Sequence, residues 1–162
     1  MRLLDLIDRA IARIVTCGQW LALPVVLLLF LQWPLRDGLK IWSREANDLG
    51  QWIFALYVAI GVTAATRAGT HLAADALARS YPLWVRRLLV RCGAVAALVP
   101  WGLFVLIGGK NLIVQSTLLL EPFPDTHNPG YFIIKLAMGL LAGLVLLQAL
   151  VDIARPLRGR PE

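Results

Sequence analysis

The chain has 162 residues, of which 59% are hydrophobic and 16% are charged, and its mean hydropathy is +0.70. Soluble domains are nearer half apolar and a quarter charged, so this composition argues against an ordinary soluble domain. The formal net charge is +6. We interpret this excess of basic residues as a sign of membrane topology, because the chain is so apolar. Nucleic-acid binding is a poor explanation of it.

Long uncharged stretches organise the chain. No Asp, Glu, Lys, Arg or His occurs between Arg13 and Arg36, Asp48 and Arg67, Arg91 and Lys110, or Lys135 and Asp152. About 20 helical residues cross a hydrocarbon core of roughly 30 Å. The first stretch has this length, and flanking residues complete the other three, because a lysine can extend its ammonium group towards the interface. The sequence predicts an all-α integral membrane protein with four transmembrane helices in one domain, 1–162. Their bounds are about 14–35, 47–67, 84–115 and 131–152.

Two shorter helices are predicted outside the spans. In "MRLLDLIDRAIARI" the apolar positions 3, 4, 7, 11 and 14 form one helical face. We expect an N-terminal interfacial helix that leads into the first span, and no cleaved signal peptide. In "ATRAGTHLAADALARSYP", His71, Asp75 and Arg79 share one face of a short amphipathic helix between spans two and three. Arg86 and Arg87 follow it and are expected near lipid phosphates.

The basic residues predict the orientation. One side of the membrane receives 11 of the 16: Arg2, Arg9, Arg13, Arg67, Arg79, Arg86, Arg87, Arg91, Arg155, Arg158 and Arg160. The other side receives Arg36, Lys40, Arg44, Lys110 and Lys135. Acidic residues divide five and five. Both termini and the amphipathic helix are therefore expected in the cytoplasm.

The predicted spans carry no acidic side chain or histidine near their middle, where channels, pumps and proton relays place such groups. A haem bundle needs several histidines, but His71 and His127 fall on opposite sides. Cys17 and Cys92 are interpreted as inert small apolar residues rather than a redox pair, since free cysteines are usually buried. We expect no catalytic site, metal or cofactor. The alternatives, a stand-alone four-helix exporter or a membrane redox protein, are disfavoured on these grounds.

Small residues spaced four apart favour close helix packing, either within the chain or with another protein. They occur as Gly61, Ala65 and Gly69, as Gly93 and Ala97, and as Gly139 and Gly143.

The segment "NDLGQWIFALYVAIGVTAATRAGTHLAADALARSYP" resembles the core of the small membrane subunit of tripartite ATP-independent periplasmic (TRAP) transporters. Its pattern is an acidic residue, a glycine, a basic residue, His-hydrophobic-x-x-Asp and a proline. These correspond to Glu45 or Asp48, Gly61, Arg67, His71, Asp75 and Pro82. "QSTLLLEP" and "YFIIKLAMGLLAGLVLLQAL" resemble later parts of the family, so the resemblance covers about 14–152. One departure is Ala73-Ala74, where the family has a β-branched residue before the aspartate.

The resemblance implies a subunit of the bacterial inner membrane without a catalytic site. Such subunits pair with a larger membrane subunit that carries out sodium-coupled elevator transport. A periplasmic binding protein delivers an organic acid to the pair. We expect the charges of the outer loops to contact that binding protein, namely Arg36, Lys40, Arg44, Glu121 and Asp125.

Overall fold

The computed structural model describes residues 2–39, 43–68 and 81–154, and within them the chain is helical with no β-strand. The helices are α1 Arg2–Gln19, α2 Ala22–Asp37, α3 Arg44–Ala68, α4 Leu83–Gly93, α5 Val99–Leu118 and α6 Tyr131–Ala154. A π-helical turn, Ala94–Leu98, joins α4 to α5.

Four helical stretches are long and apolar enough to cross a membrane. They are Leu3–Leu35, Arg44–Ala68, Arg91–Leu118 and Tyr131–Ala154. The predicted all-helical protein with four membrane-length helices is thereby confirmed. We call the end of the bundle that holds residues 68 and 81 the basic end, and the end that holds residues 38, 43 and 119–130 the loop end. The amphipathic helix predicted around residues 71–79 lies outside the described residues.

Proline shapes the first membrane-length stretch. A proline inside a helix lacks the N–H group for the ladder, and its ring clashes with the carbonyl four residues earlier. In a continuous helix the ring of Pro24 would clash with the carbonyl of Trp20. The structure avoids this clash because α1 ends at Gln19. The N–H of Leu21 donates to Gly18 at 3.1 Å and that of Leu23 donates to Trp20 at 3.3 Å, a tighter turn than an α-helix. Pro24 therefore falls in the first turn of α2, where no N–H is needed.

A second proline, Pro100, is accommodated without a break. The preceding turn, Ala94–Leu98, is π-helical, and the N–H of Val99 donates to the carbonyl of Ala94, five residues earlier. The turn contains one extra residue, which shifts the backbone hydrogen bonds just before Pro100, where a regular α-helix would have to kink. The chain consequently runs helically from Leu83 to Leu118.

Helix α6 lies at the centre of the bundle and packs against α3, α5 and α1. Its small residues Ala137, Ala142 and Ala149 are at most 2% exposed. A glycine on α5 permits close approach to α6. A Cβ atom at Gly102 of α5 would lie 2.6 Å from Cγ of Leu146. In lipid the hydrophobic effect contributes little between helices, so close backbone approach and the packing it allows stabilise their association.

Helix α1 packs into the same bundle. Ile11 is 1% exposed and forms a buried cluster with Ile60 of α3 and Leu144 of α6. A Cβ atom at Gly18 would lie 2.4 Å from Cγ2 of Ile60. The helix predicted for residues 1–14 thus continues to Gln19, and its second half fits against the middle of α3.

Gly18→Ala tests this close approach. The added methyl group meets a β-branched side chain that cannot swing away, so we expect a loss of about 1–3 kcal/mol, seen as a lower melting temperature in detergent. Gly50→Ala is the matched control, because nothing lies within 4 Å of a Cβ there. The control should be neutral or stabilising by about 0.4–1 kcal/mol. Equal melting temperatures for the two variants would contradict the packing.

Candidate functional site

The polar side chains that join one helix to another lie at the two ends of the bundle, and at the basic end they form one network. Arg67, in the last turn of α3, donates from Nη1 to Oδ1 of Asp8 in α1 at 2.7 Å and to Oε1 of Gln148 in α6 at 3.0 Å. Gln148 is 6% exposed, and its Nε2 donates to Oδ1 of Asp152 at 3.0 Å. A single guanidinium group therefore joins three helices, because its several donors can serve separate acceptors.

The sequence singled out Arg67, but it did not predict these partners. Asp8 lies 59 residues away from Arg67 and Gln148 lies 81 residues away. A weak signal for Gln148 was present, since it is the one amide within the apolar α6. A buried amide in such a helix is expected to have a partner.

At the loop end, the two acidic residues near the start of α3 have different roles. Ser43 precedes the helix, and its hydroxyl accepts from the N–H of Ala46 at 3.1 Å and donates to Oε2 of Glu45 at 2.9 Å. Glu45 is exposed and belongs to this helix cap. Asp48 is 7% exposed, and its Oδ2 accepts from the hydroxyl of Thr126 at 2.5 Å. Asp48 thus ties α3 to the loop that joins α5 to α6.

Glu121 ties the same loop to α5 and α6. Its Oε2 accepts from the ammonium group of Lys135 and, at 2.5 Å, from the hydroxyl of Ser116. The Lys135 ammonium group also lies 5.2 Å from the centre of the Tyr131 ring. The bond from Lys135, and then that from Ser116, lowers the pKa of Glu121 below its ordinary value of 4.5. The carboxylate is therefore held in its charged form.

The loop between α5 and α6 is folded back on itself. Phe123 is 3% exposed and packs edge-on against Tyr131, with ring centres 5.5 Å apart. The N–H of Phe123 donates to Asn128 at 2.8 Å, and that of His127 donates to Phe123 at 2.9 Å. Gly130 has a φ of 140°, a backbone conformation that favours glycine. These bonds give the loop one defined path.

A cavity of about 410 Å³ opens between this loop and the start of α3. It is lined by Arg44, Asn47, Asp48, Gln51, Phe123, Pro124, Asp125, Thr126 and Tyr131. Arg44 and Asp125 are exposed at its edge, whereas Asp48 is buried in its wall. The cavity therefore presents charges of both signs to a partner at the loop end.

The other predicted residues are dispersed. A Cβ atom at Gly61 or Gly143 would meet nothing within 4 Å, whereas at Gly139 it would lie 3.1 Å from Ile113. Arg36 lies in α2, and Arg86 and Arg87 lie in α4.

Three further residues named from the sequence, Lys40, His71 and Asp75, lie outside the described residues. Among the described residues, no three His, Cys, Asp or Glu side chains converge as metal ligands. Cys17 and Cys92 are both exposed, so the expectation that they are buried is wrong. On helices of a membrane bundle, such side chains can face lipid.

Four membrane-length helices with polar ties at their ends define a multi-pass membrane protein. The family model described as the DctQ component of tripartite ATP-independent periplasmic transporters matches residues 21–159. The chain belongs to this family, the small membrane component of TRAP transporters, and the resemblance drawn from its sequence is confirmed. No curated protein and no solved structure matches the chain.

Glu121→Gln tests the loop-end tie through its pH dependence. Because folding lowers this pKa, the charged carboxylate stabilises the protein above pH 4.5, and that stabilisation disappears as the pH falls through the lowered pKa. We expect the wild type to melt at a higher temperature than the variant at neutral pH, and the difference to vanish in acid. Asp125→Asn, on the same loop, is the control. A Glu121 difference that persists unchanged into strong acid would contradict the tie.

Proposed function

We propose that the chain is a non-catalytic scaffold subunit that holds the large membrane subunit of a TRAP transporter in the bilayer. In this proposal the large subunit carries out secondary-active, sodium-coupled uptake of an organic acid, which a periplasmic binding protein delivers. Membership of the family supports this role. The main observation in its favour is the apolar packing at the middle of the bundle.

The middle of the bundle is packed with apolar side chains. Ala142, Leu144 and Ala149 of α6 are at most 2% exposed, and Ile60 of α3 is 8% exposed beside them. The ionisable groups Arg67, Asp48 and Glu121 are used at the ends of the helices to join them. A solute route needs polar groups that face a pathway at the middle of the membrane. The arrangement therefore favours a structural role over transport by this chain.

The basic residues support one orientation of the subunit. The sequence pattern assigns 11 of 16 basic residues to the side of the membrane that holds Arg67, so we place the basic end and both termini in the cytoplasm of a bacterium and the loop end in the periplasm. The protein would then lie in the inner membrane. Arg86 and Arg87 at the start of α4 would lie near lipid headgroups.

The loop-end cavity is the surface that we assign to the binding protein. Arg44 and Asp125 are exposed at its edge, and Arg36 and Lys40 are near in sequence. Exposed charges of this kind mainly affect encounter rate and salt dependence. Glu121 is bound to Lys135 and Ser116, so we propose that it shapes the loop while Arg44 and Asp125 contact the partner.

His71 and Asp75 are proposed to be structural residues of a cytoplasmic helix that docks on the large subunit. Gly61, Gly139 and Gly143 are proposed as positions of close helix approach. Two of these, Gly61 and Gly143, have open space in the isolated chain, which leaves room for a neighbouring helix.

Reconstitution tests the scaffold role. We expect proteoliposomes that contain this chain alone to take up no organic acid, whatever sodium gradient is applied. Adding the large subunit, the binding protein and a sodium gradient should restore uptake, and the large subunit alone should be less active or unstable. Sodium-driven uptake by this chain alone, above that of empty liposomes, would contradict the proposal.

A further inference from the structure

Helix α5 exposes much of its surface, and five of its exposed residues form a straight stripe. Positions 104, 108, 111, 115 and 118 alternate in steps of four and three, so they lie on one helical face. We call this the α5 seam: Phe104, Gly108, Asn111, Gln115 and Leu118. All five are exposed, Phe104 by 76% and Leu118 by 77%, and a Cβ atom at Gly108 would meet nothing within 4 Å.

The seam contains two amides in a place where lipid cannot satisfy them. No described residue forms a hydrogen bond with the side chain of Asn111 or Gln115. The helix end beyond them is apolar, since Leu118, Leu119 and Leu120 are 77%, 77% and 58% exposed. Hydrocarbon is therefore expected to reach that end, with both amides inside it. Amides in hydrocarbon need hydrogen-bond partners, and a neighbouring molecule can supply the partners that the described residues do not.

A cation lies between the seam and α6. Lys110 is exposed on the same half of α5, and no described residue forms an ion pair with it. It borders an apolar groove of about 320 Å³ between α5 and α6, whose other walls are Leu106, Ile113, Val114, Leu136, Gly139 and Leu140. An ammonium group in such surroundings favours a nearby anion.

A second copy of this chain would be a poor occupant. Packed in the same orientation, it would bring another Lys110 to the same depth. It would bring no carboxylate, because residues 49–66, 92–118 and 131–151 contain no Asp or Glu. A carboxylate at this depth therefore has to come from a different chain.

We propose that a transmembrane helix of the large subunit packs along the α5 seam. It presents a carboxylate to Lys110 and hydrogen-bonding side chains to Asn111 and Gln115, and Gly108 lets the two backbones approach closely. This inference rests on the proposed function and adds to it the face, depth and chemistry of the contact.

Photo-crosslinking in native membranes tests the seam. Phe104 is replaced by benzoylphenylalanine in the chain co-expressed with the large subunit. Phe30 of α2, which is 67% exposed, receives the same replacement as the control. We expect an adduct with the large subunit from position 104 that is about tenfold more abundant than from position 30. Adducts from position 104 with lipid only, or with a second copy of this chain, would overturn the inference.

Two glycine variants give an independent test of whether the large subunit packs on the seam. Gly108→Leu fills the seam, while Gly50→Leu fills a position on α3 where a Cβ atom would also meet nothing within 4 Å. We expect Gly108→Leu to lower the recovery of the large subunit with this chain about tenfold, and Gly50→Leu to leave it unchanged. Helical content by circular dichroism shows that each variant folds.

Equal recovery with both glycine variants would overturn the inference while leaving the proposed function intact. The proposed function fails separately if the unmodified chain does not recover the large subunit at all, and the inference then falls with it.

Discussion

A polar group inside a bilayer has to find its partner within the protein, and this constraint decides how the bundle is held together. Arg67 is the clearest case, because its guanidinium group satisfies Asp8 and Gln148 at once and so fastens α1 and α6 to α3. At the opposite end, Asp48 and Glu121 fasten the α5–α6 loop to three helices. Between these ties, the helices need only apolar contact and close backbone approach.

The same constraint applies to the polar side chains that face away from the bundle. Within the described residues, the protein satisfies Gln148 inside its core but turns Asn111 and Gln115 outwards. In the proposed complex, these two kinds of position differ in which chain supplies the hydrogen-bond partner. The proposal that a second chain packs along the α5 seam accounts for the exposure of Asn111, Gln115 and Lys110.

The sequence predicted the parts of the fold that depend on local composition. Uncharged stretches gave the four membrane-length helices, and the order of degenerate motifs gave the family. It did not predict the division of the first stretch by Pro24, because a proline can equally sit inside a membrane helix, as Pro34 does in α2. The contacts of Arg67 and Glu121 were also missed, since they join residues far apart in the chain.

The most direct measurement of the central claim, that this chain is a static scaffold, is transport by a covalently joined complex. The chain is cross-linked to the non-moving part of the large subunit through engineered cysteines, with Cys17 and Cys92 replaced, and reconstituted with the binding protein. The account predicts that uptake by the cross-linked complex equals that of its reduced form. Uptake that is lost on cross-linking and returns on reduction would show that the chain moves during transport, which contradicts the account.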